Sequence, residues 1–144
     1  ELLYTEPQRT GTSIKCALDY LLKVAKRKSV VFIISDFLDQ DYWSSLKVVN
    51  RKHDVIGIRL YDHAETDMPD MGLAKVEDPE TGESFWVDTS SKDARTRLKK
   101  EIQIRQEIFQ KDTRKIGFDL IPISTNQDFV EPLMSFFRMR EKRY

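Results

Sequence analysis

Residues 30–39 read Val-Val-Phe-Ile-Ile-Ser-Asp-Phe-Leu-Asp, five apolar residues that lead directly into Ser35 and Asp36. The run is apolar on both faces, rich in β-branched side chains and too short for a buried helix, which predicts a central strand of a parallel sheet. Asp36 then lies at the carboxyl end of that strand, the edge where open α/β sheets bind ligands. A carboxylate there is a candidate for chemistry, and it is also suited to cap a helix or close a turn.

The composition indicates one domain without a dominant charge. The 144 residues suit a single domain, residues 1–144, with a sizeable core. Lys plus Arg and Asp plus Glu balance at 24 each, so no net charge steers the chain toward nucleic acid or an anionic membrane. The single cysteine, Cys16, excludes an internal disulfide, predicts a reducing, cytoplasmic location and is interpreted as a small core residue of a helix. No apolar run is long enough to form a membrane segment.

Hydrophobic periodicity on either side of the first strand predicts alternating helices and strands. One helix follows Thr12 and ends before the basic triplet 26–28, and a second follows Asp39 or Asp41, either of which is a suitable cap. The remaining predicted elements are a strand at 54–60, a β-hairpin around 73–88, a helix from Ser90 or Ser91 to Ile116, a strand at 118–124 and a helix at 127–140. This alternation is typical of a three-layer α/β domain, a mainly parallel sheet with helices on both faces.

Two predicted loops meet at the carboxyl edge of this sheet. One enters the first helix at Arg9-Thr10-Gly11-Thr12-Ser13, and the other leaves the first strand at Ser35-Asp36. The hydroxyl of Thr12 and the carboxylate of Asp36 are hard oxygen ligands of the kind that Mg²⁺ prefers. Two such ligands make a weak site, and Thr12 also has the residue type of a helix N-cap.

The same residues carry a resemblance to a known fold. Gly11-Thr12-Ser13 at the start of a helix, followed by an apolar strand ending in Ser35-Asp36, resembles the second half of a von Willebrand factor A domain, which is Rossmann-like. The metal-ion-dependent adhesion site of that fold uses a D-x-S-x-S loop, a threonine and an aspartate, which the resemblance places at Thr12 and Asp36. No D-x-S-x-S occurs in this sequence. The resemblance therefore implies an A-like domain truncated at its N-terminus, with the remaining ligands upstream of Glu1.

More specifically, the chain resembles the bacterial A-domain-like family called domain of unknown function fifty-eight, whose members occur beside MoxR-type AAA+ ATPases. The stretches that carry this likeness are Arg9-Thr10-Gly11-Thr12, Phe32–Phe37, Arg51–Val55, Asp78–Glu83 and Phe136-Phe137-Arg138. They are distributed over nearly the whole chain. The resemblance implies a non-enzymatic protein-interaction or scaffold module with an AAA+ ATPase as its partner.

The resemblance also sets expectations about metal, assembly and location. Ser35-Asp36-Phe37 departs from the Thr-Asp-Gly form of adhesive A domains, so we expect no cofactor in this chain and Mg²⁺ only in a full-length protein. In an A domain the first strand pairs with the strand formed here by Val30–Ile34. Its loss predicts self-association through that edge. Some members of the family carry membrane helices, which leaves open an anchor upstream of Glu1.

Two other functions stay open on the residues alone. A Mg²⁺-dependent phosphohydrolase would use Asp36 as nucleophile or ligand. Its supporting groups would follow the later strands, at Asp62, His63, Ser124, Thr125, Asn126 and Asp128. A weak nucleic-acid binder would use the basic C-terminus, Arg138–Tyr144, and the basic helix at 92–115. Both basic stretches have a simpler explanation, because cations complement the dipole at a helix C-terminus and charged residues line solvated helix faces. We therefore expect no nucleic-acid partner.

Charge is also uneven in the middle of the chain. The segment from Asp62 to Glu83 carries eight acidic residues against the single Lys75. This segment is either a contact surface for a basic partner or a solvated acidic loop. His53, which precedes a predicted buried strand, is interpreted as a structural residue.

Overall fold

The structure is a computed structural model that describes residues 13–62, 70–77 and 84–142. In chain order its elements are α1 (Ile14–Val24), β1 (Val30–Ser35), α2 (Trp43–Lys52), β2 (Asp54–Tyr61), β3 (Leu73–Glu77), β4 (Ser84–Asp88), α3 (Lys92–Ile116), β5 (Asp119–Ser124) and α4 (Val130–Glu141). Their order and type agree with the sequence prediction, and their boundaries differ slightly from it. The turn predicted at 79–82 lies outside the described residues, and the assignment of 1–144 to one domain stays a prediction.

The main sheet is parallel and has the strand order β1-β2-β5. Val30 of β1 pairs with Asp54 of β2, and Ile56 of β2 pairs with Asp119 of β5, which places β2 in the centre of these three strands. β3 and β4 form a separate antiparallel pair, as the predicted hairpin requires. The predicted α/β class, with a parallel sheet and an additional hairpin, is confirmed.

Helices pack on both faces of the parallel sheet. On one face, α1 and α2 pack against the odd-numbered residues of β1 and β2, and Phe109 and Ile116 of α3 extend this layer. The buried residues of this first core are Ile14, Leu18, Phe37, Tyr42, Leu46, Val49, Val55 and Phe118. On the opposite face, Phe136 of α4 packs in a second core against Ile56, Ile121 and Ile123. Within the described ranges, no helix combines the length and the apolar character needed to cross a membrane.

The ends of α3 follow the predicted local signals. The Ser91 hydroxyl accepts a hydrogen bond of 3.4 Å from the backbone N–H of Ala94 at the start of the helix. Gly117 ends the helix with a φ of 62°, a left-handed conformation that glycine adopts without steric cost. These two caps determine where the long helix begins and ends.

The predicted caps of α2 and the predicted start of α4 require correction. Tyr42, and neither Asp39 nor Asp41, occupies the N-cap position of α2, and it makes no side-chain capping bond. Asp41 has a φ of 62°, and Asp39 is engaged elsewhere, at the start of α1. The last helix begins at Val130, later than predicted, with Phe129 at its N-cap position, and the Asp128 carboxylate accepts the N–H of Val130 at 2.9 Å.

The predicted core position of Cys16 is wrong, because its side chain is exposed. The buried residues of α1 are Ile14 and Leu18. Cys16 is two residues from each, which corresponds to about 200° around a helix of 3.6 residues per turn. Its side chain therefore projects from the solvent side of α1.

His53 is structural, as interpreted from the sequence. It is 2% exposed at the end of α2, where its backbone N–H donates to the Val49 carbonyl at 2.8 Å. Its Nδ1 accepts a hydrogen bond of 3.3 Å from the backbone N–H of Ser29, just before β1. The residue thereby joins the end of α2 to the segment that enters the sheet.

Candidate functional site

The loop after β1 begins at Asp36 and lies at the carboxyl edge of the sheet, where Asp36 was predicted. Asp36 Oδ1 accepts hydrogen bonds from the Leu38 backbone N–H at 3.1 Å and from the Ser35 hydroxyl at 3.3 Å. The Ser35 oxygen in turn accepts the Phe37 N–H at 3.1 Å. These bonds close a local turn of the kind that aspartate and serine form with nearby backbone. Asp36 is exposed at the tip of this turn.

Phe37 holds the loop in a strained conformation. Its φ is 60°, which is rare for a bulky residue, and its side chain is only 6% exposed. The ring packs against Tyr42, Phe109 and Phe118, with centroid distances of 6.1, 5.7 and 6.0 Å. Such strain persists only where the surrounding packing compensates for it, and it is concentrated at functional sites. Burial of Phe37 turns its neighbours, Asp36 and Leu38, toward solvent.

Asp39 connects this loop to the start of α1. Its Oδ2 accepts a hydrogen bond of 2.6 Å from the backbone N–H of Ile14, the first residue of the helix. Ser13 caps the same turn by accepting the Cys16 N–H at 3.2 Å. The bond brings the loop after β1 next to the start of α1, while the predicted meeting of Thr12 with Asp36 stays a prediction. Sequence reasoning missed the role of Asp39, since its partner is 25 residues away and no local pattern indicates it.

A buried tyrosine and several charges lie beneath the loop. Tyr42 is 1% exposed, and burial raises the pKa of its phenol above the ordinary value of 10.0. The negative charge of Asp39 raises that pKa further, while the Arg59 guanidinium opposes the shift. Arg59 also lies 5.0 Å from the centroid of the Phe109 ring, a cation–π distance. Tyr42 therefore stays protonated at neutral pH and supports the loop by packing.

The proposed metal ligands are only partly described. Thr12 lies outside the described residues, so its predicted pairing with Asp36 stays a prediction. In the part of the chain that the structure describes, no three or more His, Cys, Asp or Glu side chains are grouped so as to hold a metal ion. One oxygen of Asp36 is already engaged in the turn, as the acceptor of the Leu38 N–H.

The residues after β2 and β5 are used mainly to shape the sheet edge. Ser124 is buried and its hydroxyl oxygen accepts the Asn126 N–H at 3.5 Å. The Thr125 N–H donates to the Tyr61 carbonyl at 3.0 Å, which continues the pairing of β5 with β2. Asp62 is exposed, and His63 lies outside the described residues. Ser124 and Thr125 therefore have a structural role at the carboxyl edge of the sheet.

One residue of the basic C-terminal stretch has a structural role. Arg140 of α4 lies 2.6 Å from a carboxylate oxygen of Asp54 and 3.6 Å from one of Asp119. These aspartates begin β2 and β5, so the arginine joins α4 to the amino edge of the sheet. Arg138 is exposed, and Arg143 and Tyr144 lie outside the described residues. No local sequence pattern indicates this ion pair, since Arg140 and Asp54 are 86 residues apart.

The fold and this loop define a class of protein, a parallel α/β domain with a carboxylate turn at the carboxyl edge of its sheet. The sequence profile described as "Protein of unknown function DUF58" matches residues 1–108. The chain belongs to this family, as the sequence resemblance implied. No solved structure is significantly similar to the chain.

Similar proteins come from mycobacteria and are uncharacterized. The chain is 26% identical over 129 residues to an uncharacterized protein of Mycobacterium avium, a match covering 88% of this chain and 75% of that protein. It is 27% identical over 141 residues to uncharacterized proteins of Mycobacterium bovis and Mycobacterium tuberculosis. Those matches cover 94% of this chain and 43% of each relative. The chain thus spans less than half the length of these two relatives.

Proposed function

We propose that the chain is a non-enzymatic protein-interaction module whose contact surface is β1. One observation carries this proposal. In the described sheet β1 has a single neighbour, β2, and its side chains on the α4 side of the sheet are open to solvent. Val30, Phe32 and Ile34 are 59%, 48% and 63% exposed, respectively. Phe32 has an aromatic contact there, with Phe137 of α4 at a centroid distance of 6.4 Å.

An edge strand of this kind favours pairing with another chain. Its outer backbone N–H and C=O groups are a template for strand addition, and proteins usually protect such edges with charged residues, proline or bulges. Residues 30–34 contain none of those residues. The backbone of a partner strand would satisfy the edge, while its side chains would cover the exposed apolar face. Both contributions favour association at the same place.

The family resemblance suggests the partner. We propose that a MoxR-type AAA+ ATPase contacts β1, and that two copies of this chain pair through Val30–Ile34 when the ATPase is absent. Asp36 follows β1 directly and lies at one end of this surface. With Thr12 and further ligands in a longer protein, Asp36 would add a Mg²⁺ ion to the contact. In this chain alone we expect no Mg²⁺ binding in a calorimetric titration.

Self-association tests the surface itself. Light scattering coupled to size exclusion, over a hundredfold range of protein concentration, is expected to show a monomer that becomes a dimer. Ile34→Lys places a charge on the exposed face of β1 and should keep the chain monomeric. Ile104→Lys is the matched control, because Ile104 is a 56% exposed isoleucine on α3, away from β1. A wild-type chain that stays monomeric at the highest concentration would contradict pairing between copies.

Binding to the ATPase is a separate measurement. Interferometry with a purified MoxR-type AAA+ ATPase should show binding to the wild-type chain and to Ile104→Lys, and weaker binding to Ile34→Lys. Equal binding of all three would place the ATPase contact elsewhere on the chain. No binding of the wild-type chain would reject this partner while leaving the self-association result intact.

A further inference from the structure

The chain has no net charge, yet its charges are separated between the two ends of the parallel sheet. All four helices end at the amino edge of this sheet, and each carries basic residues in its last turn. The loop after α1 and the residue that follows α4 add further cations. We call the surface formed by these residues the basic edge. Its cations are Lys23, Lys26, Arg27, Lys28, Arg51, Lys52, Arg114, Lys115, Arg138, Arg140 and Lys142.

Contacts between the elements show that these helix ends lie together. Lys52 Nζ donates to the Ala25 carbonyl at 2.9 Å, which joins the end of α2 to the end of α1. The Asn50 side chain donates to the Gly117 carbonyl at 3.1 Å, which adds the end of α3. On the other face of the sheet, Arg140 of α4 pairs with the first residues of β2 and β5. The basic residues therefore surround the starts of the strands on both faces of the sheet.

The carboxylates at this surface do not balance its cations. Among its described residues they are Asp54, Asp112, Asp119 and Glu141. The three aspartates form ion pairs with Arg140 and Lys115. The other cations of the basic edge are all exposed. The opposite, carboxyl edge presents a set of exposed carboxylates, which are Asp36, Asp41, Asp62, Asp128 and Glu131. The two edges of the sheet thus have opposite charge.

The helix dipole accounts for only part of the charge on the basic edge. A cation in the last turn of a helix complements the dipole, and this effect falls off beyond that turn. Because α1 ends at Val24, the residues Lys26, Arg27 and Lys28 lie after its last turn. Within the described ranges, none of these three side chains forms a salt bridge. Their charge is therefore available to a partner.

The backbone of the loop after α1 is held against the sheet. The Ser29 hydroxyl donates to the Arg27 carbonyl at 3.1 Å, and the Ser29 N–H donates to the buried His53 ring at 3.3 Å. The Ser29 carbonyl in turn accepts the Asp54 N–H at 2.9 Å. Three consecutive cations are thus presented from a fixed backbone. Less backbone ordering is then required when they bind, which favours affinity.

Exposed aliphatic side chains lie among these cations. Val24 is the last residue of α1 and is 52% exposed, and Met139 lies between two arginines of α4 and is 46% exposed. Lysine and arginine with interspersed aliphatic side chains suit the boundary between anionic headgroups and acyl chains. Surfaces for single-stranded nucleic acid instead use aromatic side chains that stack on bases. Residues 21–30, 49–52, 113–117 and 138–142 contain no phenylalanine, tyrosine or tryptophan.

We infer that the basic edge is a docking surface for an anionic lipid bilayer. Its lysines and arginines contact the lipid phosphates, and Val24 and Met139 enter the headgroup region. The carboxyl edge, with Asp36, then faces away from the bilayer, because its carboxylates are repelled by the same lipids. This inference is independent of the proposed contact at β1, since it depends on the helix ends and on the loop after α1.

Vesicle binding tests the role of charge. At low ionic strength the chain should co-sediment with vesicles of equal amounts of phosphatidylglycerol and phosphatidylcholine, and it should not co-sediment with phosphatidylcholine alone. Added sodium chloride should weaken the binding, because salt screens exposed charges. Lys26→Glu/Lys28→Glu should weaken it about tenfold or more, since each cation near an anionic surface contributes to attraction.

A second double variant separates the basic edge from net charge. Lys92→Glu/Lys100→Glu changes the net charge equally, at two exposed positions in the first half of α3. Lys100 lies about 24 Å from the C-terminal end of that helix at a rise of 1.5 Å per residue. This variant should keep most of the vesicle binding, and circular dichroism should show the same fold for both. No binding of the wild-type chain to the anionic vesicles, or an equal loss in both double variants, would overturn the inference.

The aliphatic side chains distinguish a bilayer from other polyanions. Val24→Ser should weaken vesicle binding several-fold, because a serine gains nothing from the headgroup region. Val130→Ser is the matched control, since Val130 is 49% exposed at the start of α4, on the carboxyl edge. Equal vesicle binding by these two variants would overturn the assignment to lipid. Displacement of the chain from the vesicles by duplex DNA at an equal phosphate concentration would overturn it also, in favour of a nucleic-acid surface.

Discussion

The Asp39 carboxylate accepts a hydrogen bond of 2.6 Å from the backbone N–H of Ile14, which joins the loop after β1 to the first turn of α1. A helix leaves its first backbone N–H groups without partners inside the helix, and a carboxylate both satisfies one of them and complements the helix dipole. The bond therefore fixes α1 against the loop that carries Asp36. Substitution of Asp39 should therefore destabilise both the start of α1 and the loop after β1.

Asp39→Ala tests this connection. The variant should lose about 1 kcal/mol of unfolding free energy, the usual cost of removing a capping acceptor. Urea denaturation followed by circular dichroism measures the change. Asp39→Asn keeps an oxygen acceptor and should lose only part of that free energy. A wild-type midpoint for Asp39→Ala would show that the bond does not stabilise α1.

Close packing at Gly57 leads to a second prediction. A Cβ added there would lie 2.4 Å from Cζ of Phe118 and 2.9 Å from Cδ1 of Leu120, both in the core under β2. Phe118 is 6% exposed, and its ring packs against that of Phe37 at a centroid distance of 6.0 Å. Gly57→Ala should therefore cost about 2–3 kcal/mol of unfolding free energy, as overpacking of a core does.

The double variant Gly57→Ala/Phe118→Leu separates this clash from other causes. A smaller side chain at 118 makes room for the new methyl group, so the two changes together should cost less than their sum. Gly72→Ala measures the cost of backbone strain in the absence of a clash, because the φ of Gly72 is 73° and a Cβ added there meets nothing within 4 Å. Additive costs in the double variant would mean that Gly57 is needed for another reason.

The ion pairs of Arg140 lead to a third prediction. Its side chain is 15% exposed, and its partners Asp54 and Asp119 are about one-third exposed. Arg140→Met keeps most of the volume but leaves both carboxylates without this cation, and should cost about 1–2 kcal/mol, less than for a fully buried pair. Arg138→Met, at an exposed position of the same helix, should be nearly neutral. Equal denaturation midpoints for the two variants would contradict a role for Arg140 in holding α4 to the sheet.

Local signals in the sequence were sufficient to predict the elements of the fold. The apolar run at 30–34 and the left-handed Gly117 each depend on neighbouring residues, so β1 and the end of α3 follow directly. The prediction that Cys16 is a core residue was wrong because α1 buries only Ile14 and Leu18, a narrower face than its apolar residues indicate. The bond from Asp39 to Ile14 and the pair of Arg140 with Asp54 could not be predicted, because tertiary packing alone brings these residues together.

Asp19 and Ser45 connect α1 to α2 and provide a prediction that depends on pH. The Ser45 hydroxyl donates to Asp19 Oδ1 at 2.7 Å. This bond, with a further contribution from Lys15, holds the pKa of Asp19 below its ordinary value of 3.8 despite some opposing desolvation. A carboxylate whose pKa is lower in the folded state stabilises the fold above the unfolded pKa, and this contribution is lost as the pH falls through the folded pKa.

Ser45→Ala should therefore lower the Tm at neutral pH, and the difference from wild type should narrow below a pH of about 3.8. Alanine is also the better helix former, which offsets part of the loss. Ser44→Ala, at the adjacent exposed position of α2, measures that gain separately. The difference between the two variants isolates the hydrogen bond, and scanning calorimetry from neutral to acidic pH follows it. A difference that stays constant down to the lowest pH would show that Asp19 ionisation does not stabilise the contact between α1 and α2.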